Sequence, residues 1–489
     1  MKEMLKDFLI NHADKHTVSY HMPGHKGSAI YKKYGYGQFL ERFMDCDITE
    51  IPGADNLFQA EGLLKEVQEK YARLYDVERS YLQINGTSGG LIAAILACVP
   101  QGGKIIMARN CHKSVFNALT LGNIKPIYAH TAIIDEYGIT GPIQVSEVER
   151  LLEEAPDAEA VILPSPNYYG ICSDIKAISE AVHKKGKPLI IDQAHGAHLH
   201  FFNKFGQGRD MPPSAEEAGA DITVNSIHKT LASFTQSAVL DFNTDIVDRY
   251  VLEDKLQAVQ STSPSYILMA GLEINAEILE NHGPETMKQW KENIEWFYNK
   301  SAEIKELKVM REIKKTENRS CAREKNGTAD MDITKINLDM SSCGIDGAKL
   351  EELLIEKNIY TELYTGNILM CMTGIGNTRE DLQKLFDALR DIAKQAKGTV
   401  SKTKKTKVEI PSTGRLFPVP GVKEYVDLGH ATGRVCASSL IPYPPGVPFV
   451  CPGEEITEEI ADYIKSLRDV GEKVVGVNDK GMILVGKKE

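Results

Sequence analysis

Asn225-Ser226-Ile227-His228-Lys229-Thr230 follows an apolar run, Asp221 to Val224, that reads as a short buried strand. Upstream, Pro188-Leu189-Ile190-Ile191-Asp192-Gln193-Ala194-His195-Gly196-Ala197-His198 has the same form. An apolar strand ends in a polar residue, and small residues and histidines follow at once. Working outward, Ser80 to Ile84, Lys104 to Met107, Lys125 to Ala129 and Ala160 to Leu163 read as further short strands. Helical stretches lie between most of them, such as Val145 to Glu154 and Ile175 to Lys185. This alternation predicts an α/β fold with a mostly parallel sheet covered on both faces.

In such a sheet the ligand crevice lies beyond the carboxyl ends of the strands. Lys229 brings an amine to that edge, and burial beside other cationic groups favours loss of its proton. A lysine of this kind suits a Schiff base with an aldehyde cofactor, pyridoxal phosphate. Asp192 brings a carboxylate that can keep the cofactor's ring nitrogen protonated. Ser226 and His228 can donate to a phosphate. The plainer alternatives are a surface lysine at a strand end and an aspartate capping a turn.

After the first strand come Asn85-Gly86-Thr87-Ser88-Gly89-Gly90 and a helix from about Leu91 to Cys98. Glycines and hydroxyls at a strand-to-helix turn make an anion site or a plain helix cap. The Gly-Lys-Ser/Thr ending of a Walker A loop is missing. Cys111-His112-Lys113-Ser114 and Pro166-Asn167-Tyr168-Tyr169-Gly170 fall on the same rim. His112 could stack on a cofactor ring or be structural. His195, His198 and His200 raise a metal reading, but their spacing matches no zinc pattern, and no metal is expected.

The chain has 489 residues, 42% hydrophobic and 26% charged, with a net charge of -11. That length predicts two to four domains with substantial cores. The acidic balance argues against nucleic acid or an anionic membrane as the main partner. The longest apolar run, about Leu91 to Val99, is too short to span a bilayer. The start, Met1-Lys2-Glu3-Met4-Leu5-Lys6-Asp7, lacks a secretory core. Nine scattered cysteines with no C-x-x-C pair point to reduced thiols and a cytoplasmic location.

His21-Met22-Pro23-Gly24-His25-Lys26-Gly27 is a turn or surface loop. Asp47-Ile48-Thr49-Glu50-Ile51-Pro52-Gly53-Ala54-Asp55-Asn56-Leu57 carries acids around a Pro-Gly turn. These acids can receive a cationic substrate or simply form a solvated loop.

Taken together, Gly86-Thr87-Ser88, His112, Asp192 to His198 and Ser226 to Thr230 resemble the Orn/Lys/Arg decarboxylase family. The N-terminal His21 to Gly27 fits, as do Leu440-Ile441-Pro442-Tyr443-Pro444-Pro445-Gly446-Val447-Pro448 and Cys451-Pro452-Gly453-Glu454. The match covers nearly the whole chain. With no N-terminal wing domain, it is similar to the family's shorter form, which includes arginine and lysine decarboxylases of Gram-positive type. The resemblance implies the aspartate aminotransferase-like fold, pyridoxal 5'-phosphate and a homodimer with shared sites.

By position, the resemblance makes Lys229 the cofactor lysine and Asp192 the partner of the ring nitrogen. His112 would stack on the ring, and His195 would lie near the ring oxygen or the reacting centre. Gly86, Thr87, Ser88, Ser226 and His228 would hold the phosphate, and Thr262 and Ser263 would reach it across the dimer. One position departs from the family pattern: Gln193 stands where glutamate is usual, keeping the size and losing a charge. Asp47, Glu50, Asp55 and Glu454 are the candidate acids for the substrate's distal cation. Lys229, Asp192 and His195 are the catalytic candidates, and either Lys229 or His195 would return a proton to Cα.

The expected reaction is decarboxylation of a basic amino acid, L-arginine to agmatine in polyamine biosynthesis. Lysine or ornithine decarboxylation, an aminotransferase or lyase on the same scaffold, and a non-catalytic cofactor-binding subunit are the alternatives. The expected organisation is an N-terminal arm and active-site loop (1–58), a large cofactor domain (59–270), a small α/β domain (271–395), a linker (396–408) and a C-terminal domain (409–489). Helices are expected over Pro284 to Asn299 and Arg379 to Gln395, and a polyproline-like loop over Pro442 to Pro448.

Overall fold

The computed structural model describes residues 4–131, 133–206, 211–313, 331–396, 414–443, 448–469 and 473–487. Its centre is a sheet of seven strands: β1 (Arg79–Gln83), β2 (Lys104–Ala108), β3 (Lys125–Ala129), β4 (Ala160–Pro164), β5 (Leu189–Asp192), β6 (Ile222–Asn225) and β7 (Ala238–Phe242). They lie in the order β1-β7-β6-β5-β4-β2-β3. β3, β2, β4, β5 and β6 run parallel, whereas β7 is antiparallel to both its neighbours. The inner parallel strands are largely apolar runs because both sheet faces are covered; every residue of β5 and β6 is buried, whereas β3 at the edge has one exposed and three half-buried residues.

β7 is absent from the sequence-based reading. It returns after the short Lys229 helix without a crossover helix, so the alternation that signals a parallel strand is missing. It also holds a carboxyl group, Asp241, fully buried and accepting from Ser80 and Asn225; burial, and then Glu216, raise its proton affinity.

Two apolar cores lie on the sheet's flanks. One packs helix α1 (Gly86–Cys98) and helix α2 (Lys113–Gly122) on the strands. The other gathers helix α3 (Leu199–Phe205), the short helix α4 (Ile227–Thr230) and the long helix α5 (Tyr266–Ser301).

α5 corrects the expectation of a helix beginning at Pro284. Proline favours a first helical turn, but here it sits inside a continuous helix. The Thr286 hydroxyl donates to the His282 carbonyl at 2.7 Å, beside the hydrogen bond that Pro284 cannot make. Leu272, Ile278, Leu279, Met287, Trp290 and Ile294 bury one face along the whole length.

The small domain is built on an antiparallel sheet of β8 (Lys308–Met310), β9 (Lys335–Asp339), β10 (Leu363–Thr365) and β11 (Ile368–Met372), with helix α6 (Arg379–Ala396) against α5. The C-terminal region has its own core around Cys436, Leu440, Phe449, Ile456 and Ile460. Residues 397–408 of the expected linker and 444–447 of the proline-rich loop lie outside the described residues. Among the described residues, every cysteine is a free thiol and no helix is long and apolar enough to cross a membrane.

Candidate active site

The carboxyl ends of five strands form one cleft. Thr87 enters after β1, Asn110 and His112 after β2, and Pro166, Asn167 and Tyr168 after β4. Asp192, Ala194 and His195 enter at β5, and Lys229 after β6. Asp192 pairs in register with Pro164 on one side and Val224 on the other, which fixes its level in the sheet.

The Lys229 amine lies 3.0 Å from His195 Nε2. Burial lowers the lysine's proton affinity; the charges of Asp192 and Glu362 oppose this, and that of Lys335 adds to it. His195 is driven well below its ordinary range, first by burial and then by Lys229 and Lys335. It is therefore a neutral imidazole at working pH. Its Nδ1 is buried and has no protein partner. Asp192 is buried too, and burial raises its proton affinity. Its Oδ1 accepts only one backbone N–H, from Ala194 at 3.1 Å. A carboxyl in this state takes up a cationic partner readily.

His112 is the N-cap of α2, and its Nδ1 accepts from the Ser114 amide at 3.2 Å. That leaves Nε2 to carry the proton of the neutral ring. Burial, Lys229 and Lys113 lower its pKa to about 3. Thr87 Oγ1 and Ser226 Oγ meet at 3.0 Å beside the N-terminus of α1, the positive end of that helix. Gly86 opens α1 at φ +68°, a conformation that favours glycine. Ser88 is exposed in the same turn. His228 is buried, with Nδ1 2.9 Å from the Ser237 carbonyl, and burial is the main cause that lowers its pKa to about 4.

The residues present fit pyridoxal phosphate. The unpartnered His195 Nδ1 and the under-bonded Asp192 both call for a ligand's polar atoms. Paired hydroxyls at a helix N-terminus suit a phosphate, and Lys229 supplies the amine.

The N-terminal His21 to Gly27 segment is not a free surface loop. The Gly24 amide donates to the His228 carbonyl at 2.7 Å, and the Gly376 amide donates to the Gly24 carbonyl at 3.0 Å. Lys26 is half-buried, with Nζ 3.3 Å from the Met372 carbonyl; burial lowers its pKa to about 7. Glu362 from the small domain accepts from the Met22 amide at 3.0 Å.

None of the four candidate acids lines this cleft within one chain. Asp47 and Glu50 are exposed. Asp55, at φ +67°, accepts the backbone N–H groups of Asn56, Glu61, Gly62 and Leu64 and so folds its own loop. Glu454 is buried at 1% exposure beside Arg109, 3.4 Å away, and accepts from the Cys451 amide at 2.7 Å. Arg109 also donates to the Pro448 and Phe449 carbonyls, which ties the C-terminal region to the loop that carries His112. Thr262 and Ser263 are exposed between two helices and do not line the cleft.

The three histidines once grouped for a metal point to different partners: His195 to Lys229, His198 to Asp332 and Thr230, and His200 to Asp76. Sequence reasoning missed Asp332, Lys335 and Glu362. The first two form a charged island in an apolar stretch, Met331-Asp332-Ile333-Thr334-Lys335-Ile336, and that was their readable signal. Gln193 donates to both oxygens of Glu216, at 3.1 and 2.9 Å. The amide therefore replaces a repulsive second carboxylate at a buried point.

Residues 4–381 match the model of the Orn/Lys/Arg decarboxylase major domain, and residues 393–481 match its C-terminal domain. The arginine decarboxylase of Bacillus subtilis (strain 168) is 31% identical over 98% of this chain and 96% of its own. The inducible lysine decarboxylase of Escherichia coli (strain K12) is 24% identical over 92% of this chain and 75% of its own. Among solved structures, lysine decarboxylase A from Pseudomonas aeruginosa superposes with a TM-score of 0.75 at 22% identity, over 98% of this chain and 80% of that one. A serine palmitoyltransferase from Sphingomonas wittichii superposes at 0.56 and 14% identity, over 78% of this chain and 87% of that one, which extends the shared fold.

Proposed function

The chain belongs to the Orn/Lys/Arg decarboxylase family, and from that premise we propose that its substrate is L-arginine, converted to agmatine and CO2. It is a carboxy-lyase for a basic amino acid and uses pyridoxal phosphate. The observation that carries the chemistry is the buried Lys229 amine against His195, with Asp192 in the same cleft. Arginine is favoured by the full-length likeness to Bacillus relatives bearing that name, at 30 to 31% identity.

Bound there, the cofactor supplies a protonated ring that accepts the electron pair left as CO2 departs. Asp192 would hold the proton on the ring nitrogen, in a place where burial makes the carboxylate seek a cation. His112, neutral and locked as the cap of α2, would lie flat on the ring. Thr87, Ser88, Ser226 and His228 would bind the phosphate, with Gly86 opening the turn. Lys229 or His195 would deliver a proton to Cα; the two share one hydrogen bond, so either hands it to the other.

Since the candidate acids stand outside the cleft of one chain, a second copy would complete the site. In a homodimer, the exposed Asp47 and Glu50 loop and Thr262 are free to face the partner's cleft. The cytoplasm, where polyamines are made and thiols stay reduced, is the proposed location.

The test is CO2 and amine release by purified, cofactor-loaded protein given arginine, lysine and ornithine separately. Preference for arginine supports the reading. Preference for lysine or ornithine overturns the substrate, and no CO2 from a protein that has bound the cofactor overturns the decarboxylation.

A further inference from the structure

Lys335 opens strand β9 of the small domain and is completely buried. An ammonium has three N–H donors. Here three acceptors meet them: the His195 carbonyl at 2.9 Å, Asp332 Oδ2 at 3.0 Å and Thr334 Oγ1 at 3.3 Å. Asp332 is also completely buried, and its Oδ1 accepts from the Thr334 amide at 2.9 Å. Its Oδ2 faces His198 Nε2 at 3.1 Å. The far nitrogen of His198 meets the Thr230 hydroxyl at 3.2 Å.

A buried ion pair is weak evidence of stability, because desolvation offsets most of its Coulomb gain and an apolar pair of the same volume serves as well. This one connects to Lys229 by two routes. One runs through the backbone of His195, whose ring touches the Lys229 amine. The other runs through Asp332 and His198 to Thr230, the next residue after Lys229. Gly170, at φ +88°, is packed on the Lys335 stem and donates no side chain that would displace it.

We propose that Lys335 is a positioning residue for the reaction: through the His195 carbonyl it fixes the imidazole against Lys229, and its buried charge favours the neutral amine there. Asp332 is the counter-charge that sits against the Lys335 amine at this depth. The inference rests on the reading of Lys229 as the cofactor lysine. The charges that reach Lys229 are Asp192 and Glu362, which favour its proton, and Lys335, which disfavours it. Those around Lys335 are Asp332, His198, His195 and Lys26. Burial alone would raise Asp332, but His198 and Lys335 more than reverse that and keep it ionised.

The experiment uses the cofactor-free full chain. Lysines are labelled with formaldehyde and cyanoborohydride at a series of pH values, and peptide mass spectrometry reads the rate at Lys229. Lys335→Met should move the midpoint of the Lys229 profile up by about one pH unit, so that labelling below the midpoint slows about tenfold. Lys335→Arg keeps the charge and should restore most of the original profile. An unchanged midpoint in folded Lys335→Met overturns the proposal, and so does a Lys335→Arg profile shifted as far as that of Lys335→Met.

Should neither variant fold, the unaltered chain still decides. Lys335 must stay unlabelled where Lys229 reacts to completion, and equal rates overturn the buried, bonded ammonium. Borohydride trapping of added pyridoxal phosphate separately identifies the cofactor lysine. Trapping at another lysine would sink the reading of Lys229 while leaving the labelling result intact.

Discussion

The amide of Gly24 donates to the carbonyl of His228 at 2.7 Å, so the N-terminal arm is hydrogen-bonded to the turn that carries Lys229. A Cβ on Gly24 would fall 2.7 Å from the Leu231 nitrogen and closer still to the Thr230 carbonyl carbon. Backbone cannot swing aside as a side chain does. Gly24→Ala should therefore cost about 3 kcal/mol or more, or displace the Lys229 turn. Thermal unfolding and pyridoxal phosphate retention check this; a variant that melts and binds cofactor like the parent refutes the contact.

His112 and His228 set a pH limit on the cofactor-free protein. Both are lowered in the fold, to about 3 and about 4, from an ordinary 6.5. Between those values and 6.5 the unfolded chain binds more protons than the folded one, so stability falls as pH falls. His112 is partly open to solvent, so its share is discounted to on the order of 2–3 kcal/mol across that window. Urea unfolding at pH 7 and pH 5 should show the loss, and His112→Asn should flatten it. Equal slopes in parent and variant would contradict the assignment.

Gln193 and Glu216 form a directional pair. Gln193→Glu would set two carboxylates face to face in a buried site, at a cost of about 2–4 kcal/mol or an obligatory proton. The double change Gln193→Glu with Glu216→Gln reverses donor and acceptor and should recover most of the loss. The thermal midpoints of the three proteins give the comparison. A single Gln193→Glu as stable as the parent at pH 8 would show that the amide is incidental.

Lys26 is a stability cost at neutral pH. Its pKa falls from 10.5 to about 7, so from pH 7 to 10.5 the unfolded chain holds the extra proton and stability from this group rises with pH. Lys26→Met removes the cost and keeps the stem. It should stabilise by about 1–3 kcal/mol at pH 7, with the gain shrinking toward pH 10. A gain that is constant with pH would mean packing, not charge, is responsible.

Glu454 and Asp47 separate two roles that the sequence left together. Glu454 is buried against Arg109, so Glu454→Gln should destabilise by about 1–3 kcal/mol through a charge left without its partner. Asp47 is exposed and should leave the melting temperature unchanged on conversion to Asn. If Asp47 meets substrate in a partner's cleft, Asp47→Asn raises KM for the preferred amino acid and leaves the fold alone. No change in KM for arginine, lysine or ornithine removes Asp47 from the specificity site.

The local chemistry of the chain determined the parallel strands and the residues at their ends. β5 and β6 fall where apolar runs end in a polar residue, because a strand covered on both faces must be continuous and apolar. Asp192, His195 and Lys229 were legible for the same reason: each lies at the end of such a run or within four residues of it. Tertiary structure alone decided which charges act on them. Lys335 lies 140 residues from His195 in sequence yet donates to its carbonyl, and no local pattern encodes that reach. It also decided that Asp55 folds its own loop and that Glu454 clasps Arg109, since backbone N–H groups and a guanidinium satisfy a carboxylate as well as any substrate does. Periodicity records which face of an element is apolar; the partner of a buried charge is fixed only when the domains close on one another.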